Sequence, residues 1–172
     1  ISSAAVYGNP VSLPVAETAD CNPISPYGWH KLMAEQVCRE YSVLHRLRIA
    51  VVRPFSIYGP GLRKQLLWDT FQKFKNNPNH IELWGTGNES RDFIHVVDVV
   101  RAFDLVLQNA EMNGELYNVA SGIETFTKEV IGQLVSYFPG KPVITFNNHT
   151  REGDPLNWRA DIGRIQRLGF ST

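Results

Sequence analysis

A chain of 172 residues is long enough for one ordinary domain with its own core. Seventeen basic residues balance seventeen acidic ones, and no basic tract interleaves with aromatics, so nucleic acid is excluded as an expected partner. No apolar run approaches the roughly 18 to 20 residues of a membrane span and no signal-peptide pattern is present, while Cys21 and Cys38 are too few and too far apart for a disulfide framework or a zinc site and fit a reducing, cytoplasmic setting.

Ile1 to Gly8 reads as the end of a buried strand running into a loop, with Ser3 at its carboxyl end, where ligands sit in open α/β sheets. A turn serine is the plainer reading of Ser3. Pro10, Pro14, Pro23 and Pro26 make residues 9–26 a loop, and Glu17 is assigned to loop structure without chemistry. The spacing of Leu32, Met33, Gln36, Val37, Tyr41 and Leu44 predicts a helix from Tyr27 to about Arg46. At its start, Ser25-Pro26-Tyr27-Gly28-Trp29-His30-Lys31 sets the Tyr27 phenol and the Lys31 ammonium on one helix face, about one turn apart. A nearby cation favours phenolate over phenol, which makes such a tyrosine a competent general base or acid toward a sugar or alcohol hydroxyl. Tyrosine and lysine also meet at this spacing in many helices that do no chemistry.

Leu47 to Arg53 is nearly continuous in apolar residues and reads as a buried parallel strand, leading into Arg53-Pro54-Phe55-Ser56-Ile57-Tyr58-Gly59-Pro60-Gly61. A helix over residues 63–77, with Leu66, Leu67, Thr70, Phe71 and Phe74 on one side, is stopped by Asn76-Asn77-Pro78-Asn79. Residues 81–96 then carry Trp84-Gly85-x-Gly87-x-x-x-Arg91-Asp92-Phe93-Ile94-His95-Val96. The planar fork of Arg91 suits two phosphate oxygens, with a salt bridge to Asp92 or Asp98 as the alternative. An amphipathic helix follows from Val96 to Gln108, its apolar side read as Val97, Val100, Phe103 and Leu107. Leu116 to Val119 is a short buried strand before Ala120-Ser121-Gly122. Thr127 is expected to cap a helix reaching Phe138, which Gly140 and Pro142 end. Lys141 to Phe146 reads as a strand, Arg151-Glu152-Gly153-Asp154-Pro155 in isolation as a charged surface turn, and Ala160-Asp161 as the start of a short helix closing at Leu168-Gly169-Phe170.

Taken together, Ser3 with Tyr27-x-x-x-Lys31 at a spacing of 24, the Arg53 to Gly61 run, the Gly85 to Val96 signature, Tyr117-Asn118-Val119-Ala120-Ser121-Gly122 and Arg151-x-Gly153-Asp154 resemble the extended short-chain dehydrogenase/reductase family, specifically its nucleotide-sugar epimerases and dehydratases. The resemblance runs from Ile1 to about Phe170. The fold it implies is α/β, the C-terminal part of a doubly wound, Rossmann-like parallel sheet with an interleaved α/β substrate-binding region. Residues 1–55 would end the dinucleotide-binding fold, and residues 56–172 would be mainly substrate-binding, with 93–120 returning to the sheet. It also implies NAD as cofactor and Ser3, Tyr27 and Lys31 as the catalytic group. Tyr27, Lys31, Pro54 and Phe55 would border the cofactor. A UDP- or dTDP-sugar would be held by Ser3, Ser56, Trp84, Arg91, Arg151 and Asp154, with Trp84 against the nucleobase, and His95 would be structural. The helix from Tyr27 to Arg46 would pair with its copy in a homodimer.

Departures from the family pattern shape the expected activity. Ser56 stands where relatives carry an asparagine that contacts substrate phosphate, and a serine has less reach. Ala4-Ala5 replaces the acidic pair that the 4,6-dehydratases use, which argues against dehydration and for a 4-epimerase. Relatives begin with a βαβ unit whose Gly-rich turn holds the cofactor pyrophosphate. Gly85-Thr86-Gly87 is the nearest approach to that turn in this chain and lacks a third glycine. The sequence is therefore expected to be a fragment or truncation, inactive alone. A non-catalytic nucleotide-sugar-binding or dimerisation module, or a decarboxylase or reductase of the same group, are the alternative readings.

Overall fold

The computed structural model describes residues 1–150 and 152–172. Its centre is a parallel pair of strands, β1 (Ile49–Pro54) and β5 (Asn113–Val119), in register Val52 to Tyr117 and Arg53 to Asn118. Side chains alternate between the two faces of a strand, and each face meets a different helix. Val52, Tyr117 and Val119 pack on α3 (Val96–Asn109), together with Ile165 of the short helix α5 (Gly163–Gln166) and Phe170. Arg53, one residue on, points to the opposite face, where it meets Glu35 of α1 (Pro26–His45). Helices on both sides of a parallel pair give the doubly wound character expected. Ile1 and Ser2 run alongside β1, Ser2 N–H donating to Val52 O at 2.8 Å, before a 3-10 turn over Ala4–Tyr7 replaces the simple loop expected there.

A second cluster forms around β3 (His80–Leu83) and β7 (Val143–Phe146), also parallel. Ile81 and Leu83 are covered by Ile131, Val135 and Phe138 of α4 (Thr127–Ser136) and its C-terminal turn, with Leu66 and Phe74 of α2 (Gln65–Asn76) alongside. The Phe74 and Phe138 rings stack at 4.1 Å. Between the two clusters lies a small sheet that periodicity did not reveal. Here β2 (Ser56–Tyr58) pairs parallel with β4 (Ser90–His95), and β4 pairs antiparallel with β6 (Glu124–Phe126).

Two helix readings are corrected, the inward face of α3 and the cap of α4. In α3 the residues turned inward are Val99, Ala102 and Val106, while Val97, Val100 and Leu107 are exposed, Leu107 by 70%. The inward residues keep helical spacing, opposite the polar arc of Asp98, Arg101 and Asp104, but their face is turned relative to the predicted stripe. In α1 the predicted stripe faces outward, Met33, Gln36, Val37, Tyr41 and Leu44 being exposed while Leu32 packs inward. The helix instead buries Gly28 and Glu35. Thr127 is the first residue inside α4 and not its cap; the Phe126 N–H is met by the Glu129 carboxylate at 3.2 Å. Among the described residues no helix is long and apolar enough to cross a membrane, and no group of three or more His, Cys, Asp or Glu side chains could hold a metal ion.

Candidate active site

The first turn of α1 lies directly on residues 1–5. Ser25 caps the helix, its hydroxyl accepting from Gly28 N–H at 3.1 Å, and Pro26 occupies the first turn. Gly28 sits so close to the 3-10 turn that a Cβ there would lie 2.5 Å from the Ala5 carbonyl oxygen. One turn on, the Lys31 ammonium donates to the Ile1 carbonyl at 3.0 Å and stands 5.7 Å from the centre of the Tyr27 ring. Tyr27 itself is exposed. Ser3 caps the 3-10 turn, its Oγ accepting from Ala5 N–H at 3.2 Å, which leaves its own O–H free to donate outward. Its neighbour Ser2 is buried, so Ser3 is the serine that the turn presents. The segments carrying Ser3, Tyr27 and Lys31 thus meet.

Behind them is a buried polar network that sequence reasoning missed. Arg53 forms a paired hydrogen bond with Glu35, Nε to Oε1 at 2.8 Å and Nη2 to Oε2 at 2.6 Å. Its Nη1 donates to the Tyr7 hydroxyl at 2.8 Å and to the Glu17 carbonyl at 3.2 Å. The Tyr7 hydroxyl in turn donates to Asn118 Oδ1 at 2.7 Å, and Glu17 Oε1 accepts from Asn118 N–H at 2.9 Å. Burial pushes the Tyr7 phenol up to about 12, with the Arg53 charge pulling the other way. Burial works against the Arg53 charge as well, but the Glu35 and Tyr7 contacts more than offset it and hold the guanidinium above its ordinary pKa. The available signal was the series Tyr27, Lys31 and Glu35 on one helix face, with Glu35 the next residue at that spacing.

Arg91 meets neither Asp92 nor Asp98. Asp92 is sealed from water and accepts from Ser121 N–H and Oγ–H at 2.7 Å each, Gly122 N–H at 3.0 Å and Ala160 N–H at 3.1 Å. Its carboxyl is raised by burial, against those hydrogen bonds. Asp98 is engaged by Arg101. The Arg91 Nη1 donates to the carbonyls of Ser90 at 2.7 Å and Leu156 at 3.1 Å, which leaves Nε and Nη2 without a partner among the described residues. Burial lowers the Arg91 pKa, opposed by the charges of Asp154 and Glu89. Ser56 pairs with Phe93 across β2 and β4, two residues from Arg91. Trp84 and Asp154 are exposed, and the expectation placed on Arg151 lies outside the described residues. Pro54 and Phe55 are buried, Phe55 packing at 5.9 Å from the Trp158 ring and donating its N–H to Val119 O at 3.0 Å. His95 caps α3, its Nδ1 accepting from Val97 N–H at 3.3 Å.

The Gly85-Thr86-Gly87 turn is closed on the chain's own side chains and backbone. Its amides are already spent: Thr86 N–H and Gly87 N–H donate to the Glu89 carboxylate at 2.9 and 3.0 Å, and Gly85 N–H donates to His149 O at 2.9 Å. Those contacts hold the Glu89 carboxyl below its usual pKa, against some desolvation. The turn therefore offers none of these three amides to a ligand.

Residues 1–120 match the family model described as the NAD dependent epimerase/dehydratase family. The chain is 31% identical over 188 residues to a UDP-glucose 4-epimerase of Azospirillum brasilense, covering 98% of this chain and 54% of the relative. It is 34% identical over 190 residues to a GDP-6-deoxy-D-mannose reductase of Pseudomonas aeruginosa, covering 98% of this chain and 62% of the relative. Among solved structures, the UDP-glucuronic acid 4-epimerase of Bacillus cereus, in complex with UDP-glucuronic acid and NAD, superposes with a TM-score of 0.88 at 27% identity over 99% of this chain and 54% of that one. The chain spans about half the length of the curated relatives it matches, 52% and 54% in two of them. It belongs to the NAD dependent epimerase/dehydratase family.

Proposed function

We propose that this member of the NAD dependent epimerase/dehydratase family carries the acid–base group and the nucleotide-sugar site of a 4-epimerase-like enzyme. The observation that carries the reading is the seating of the first turn of α1 on residues 1–5, through Gly28 on Ala5 and Lys31 on Ile1. Tyr27 takes the proton of the sugar hydroxyl, and the free O–H of Ser3 donates to the same oxygen. Lys31 sets its ammonium 5.7 Å from the centre of the Tyr27 ring, beside the proton that moves. Bound NAD supplies a hydride acceptor at sugar C4; binding and proton movement fall to the chain. Tyr27 and Lys31 would hold its nicotinamide ribose.

The unpaired donors of Arg91 grip the substrate diphosphate, and Ser56, in register with Phe93, adds a shorter contact. The 3-10 turn favours epimerisation over dehydration, because Ala4 and Ala5 put no carboxylate beside Ser3. A reductase is the second reading, favoured by the 34% identity to the Pseudomonas aeruginosa relative. The exposed stripe of α1 suits pairing with a second copy.

Calorimetric titration of the chain, with UDP-glucose and separately with NAD, tests the reading. UDP-glucose binding with little or no NAD binding is expected. Failure to bind UDP-glucose would refute the nucleotide-sugar site, and tight NAD binding would refute the expectation that these residues alone hold the cofactor weakly.

A further inference from the structure

Trp84 and His149 stand just beyond the carboxyl ends of the parallel β3–β7 pair, both exposed. Their ring centres are 6.4 Å apart and their planes tilted by 58°. The mount is rigid: Asn147 N–H donates to Leu83 O at 3.0 Å, Asn148 N–H to Gly85 O at 2.9 Å, and Gly85 N–H to His149 O at 2.9 Å. The Asn147 side chain also accepts from His149 N–H at 3.0 Å. The rings therefore form an open corner on a fixed base.

The two segments leaving this corner come together again at Arg91. Ser90 N–H donates to Leu156 O at 3.1 Å, Trp158 N–H to Ser90 O at 3.2 Å, and the Arg91 guanidinium to Leu156 O. One end thus carries two exposed rings, and the other a guanidinium whose Nε and Nη2 have no partner among the described residues. A planar aromatic group, a spacer and a pair of phosphates is the chemistry that fits both ends, which describes a nucleoside diphosphate. An exposed indole gives a base a stacking face, and a second ring tilted by 58° meets what lies on that face from the side.

We infer that His149 is a specificity-determining residue for the nucleotide, closing against a nucleobase stacked on Trp84. The inference rests on the nucleotide-sugar reading above. The test is calorimetry of the 172-residue chain and of its His149→Ala and His149→Phe variants, with UDP and with inorganic pyrophosphate as probes. His149 is exposed, so neither variant disturbs the core. The expected result is that His149→Ala binds UDP about tenfold more weakly, binds pyrophosphate as the wild type does, and regains UDP affinity when phenylalanine restores a ring. Equal UDP affinity in wild type and His149→Ala overturns the role of His149 and leaves the nucleotide-sugar reading standing. Equal loss of both probes also overturns it, because the ring would then serve the fold. Binding of neither probe by the wild type overturns the nucleotide-sugar reading itself and the inference with it.

Discussion

Glu35 and Arg53 face each other inside the protein, both nearly sealed from water, joined by two hydrogen bonds of 2.8 and 2.6 Å. The pair ties α1 to β1, and through Tyr7 it ties both to the turn that begins after Ser3. A buried ion pair is weak evidence of net stability, but removing one partner strands the other charge in a dry interior. Glu35→Ala is therefore expected to cost about 3–5 kcal/mol in urea unfolding. Replacing both partners with apolar residues, Glu35→Leu with Arg53→Met, should recover most of that loss. A cost below about 1 kcal/mol for Glu35→Ala would mean that water reaches the Arg53 guanidinium.

Tyr7 gives the protein an alkaline limit. Its phenol is pushed up to about 12 in the fold, mainly by burial, against about 10 in an unfolded chain. The folded form keeps the proton over a range where the unfolded form has lost it. The stabilisation is thus complete below about pH 10 and is lost as pH rises toward about 12, roughly 2–3 kcal/mol in all. Urea unfolding of wild type and Tyr7→Phe between these limits checks it: the two should converge as pH rises, and parallel curves would contradict the assignment.

Gly28 offers a case in which two effects oppose. Alanine inside a helix gains up to about 1 kcal/mol over glycine. Here the added methyl would lie 2.5 Å from the Ala5 carbonyl oxygen and 3.0 Å from Pro23 Cβ, and backbone has little room to give. Overpacking of this kind costs about 1–3 kcal/mol. Gly28→Ala should therefore lower the melting temperature and push the first turn of α1 away from Ser3; a rise would show that the turn yields freely.

Asp92 accepts from four donors and holds Ser121, Gly122 and Ala160 against β4. Asparagine matches its shape but would turn an NH2 group toward N–H donors. Asp92→Asn is expected to destabilise by about 1–3 kcal/mol, with Ser121→Ala costing less because the Ser121 N–H contact survives. Thermal unfolding of both variants measures the order, and the reverse order would shift the anchoring role from Asp92 to the Ser121 hydroxyl.

The sequence by itself determined the elements whose cause is local. Pro26 after Ser25 starts α1, the apolar run from Ile49 makes β1, and Asn77-Pro78 stops α2. The Tyr27–Lys31 spacing on one helix was also legible, because both residues follow the Ser25-Pro26 start, about one turn apart. What the fold alone decided is which face of a helix turns inward and which distant polar groups meet. In α3 the apolar arc is wide enough to hold both Val99 and Val100, so the pattern limits the inward face and packing against β1 and β5 sets Val99 on it. Glu35 meets Arg53 across 18 positions and Tyr7 meets Asn118 across 111. Trp84 meets His149 from the far end of another strand. A single chain's local pattern holds no record of such pairings; for Glu35, Arg53, Tyr7 and Asn118, burial removes water as the competing partner and obliges each polar group to find another.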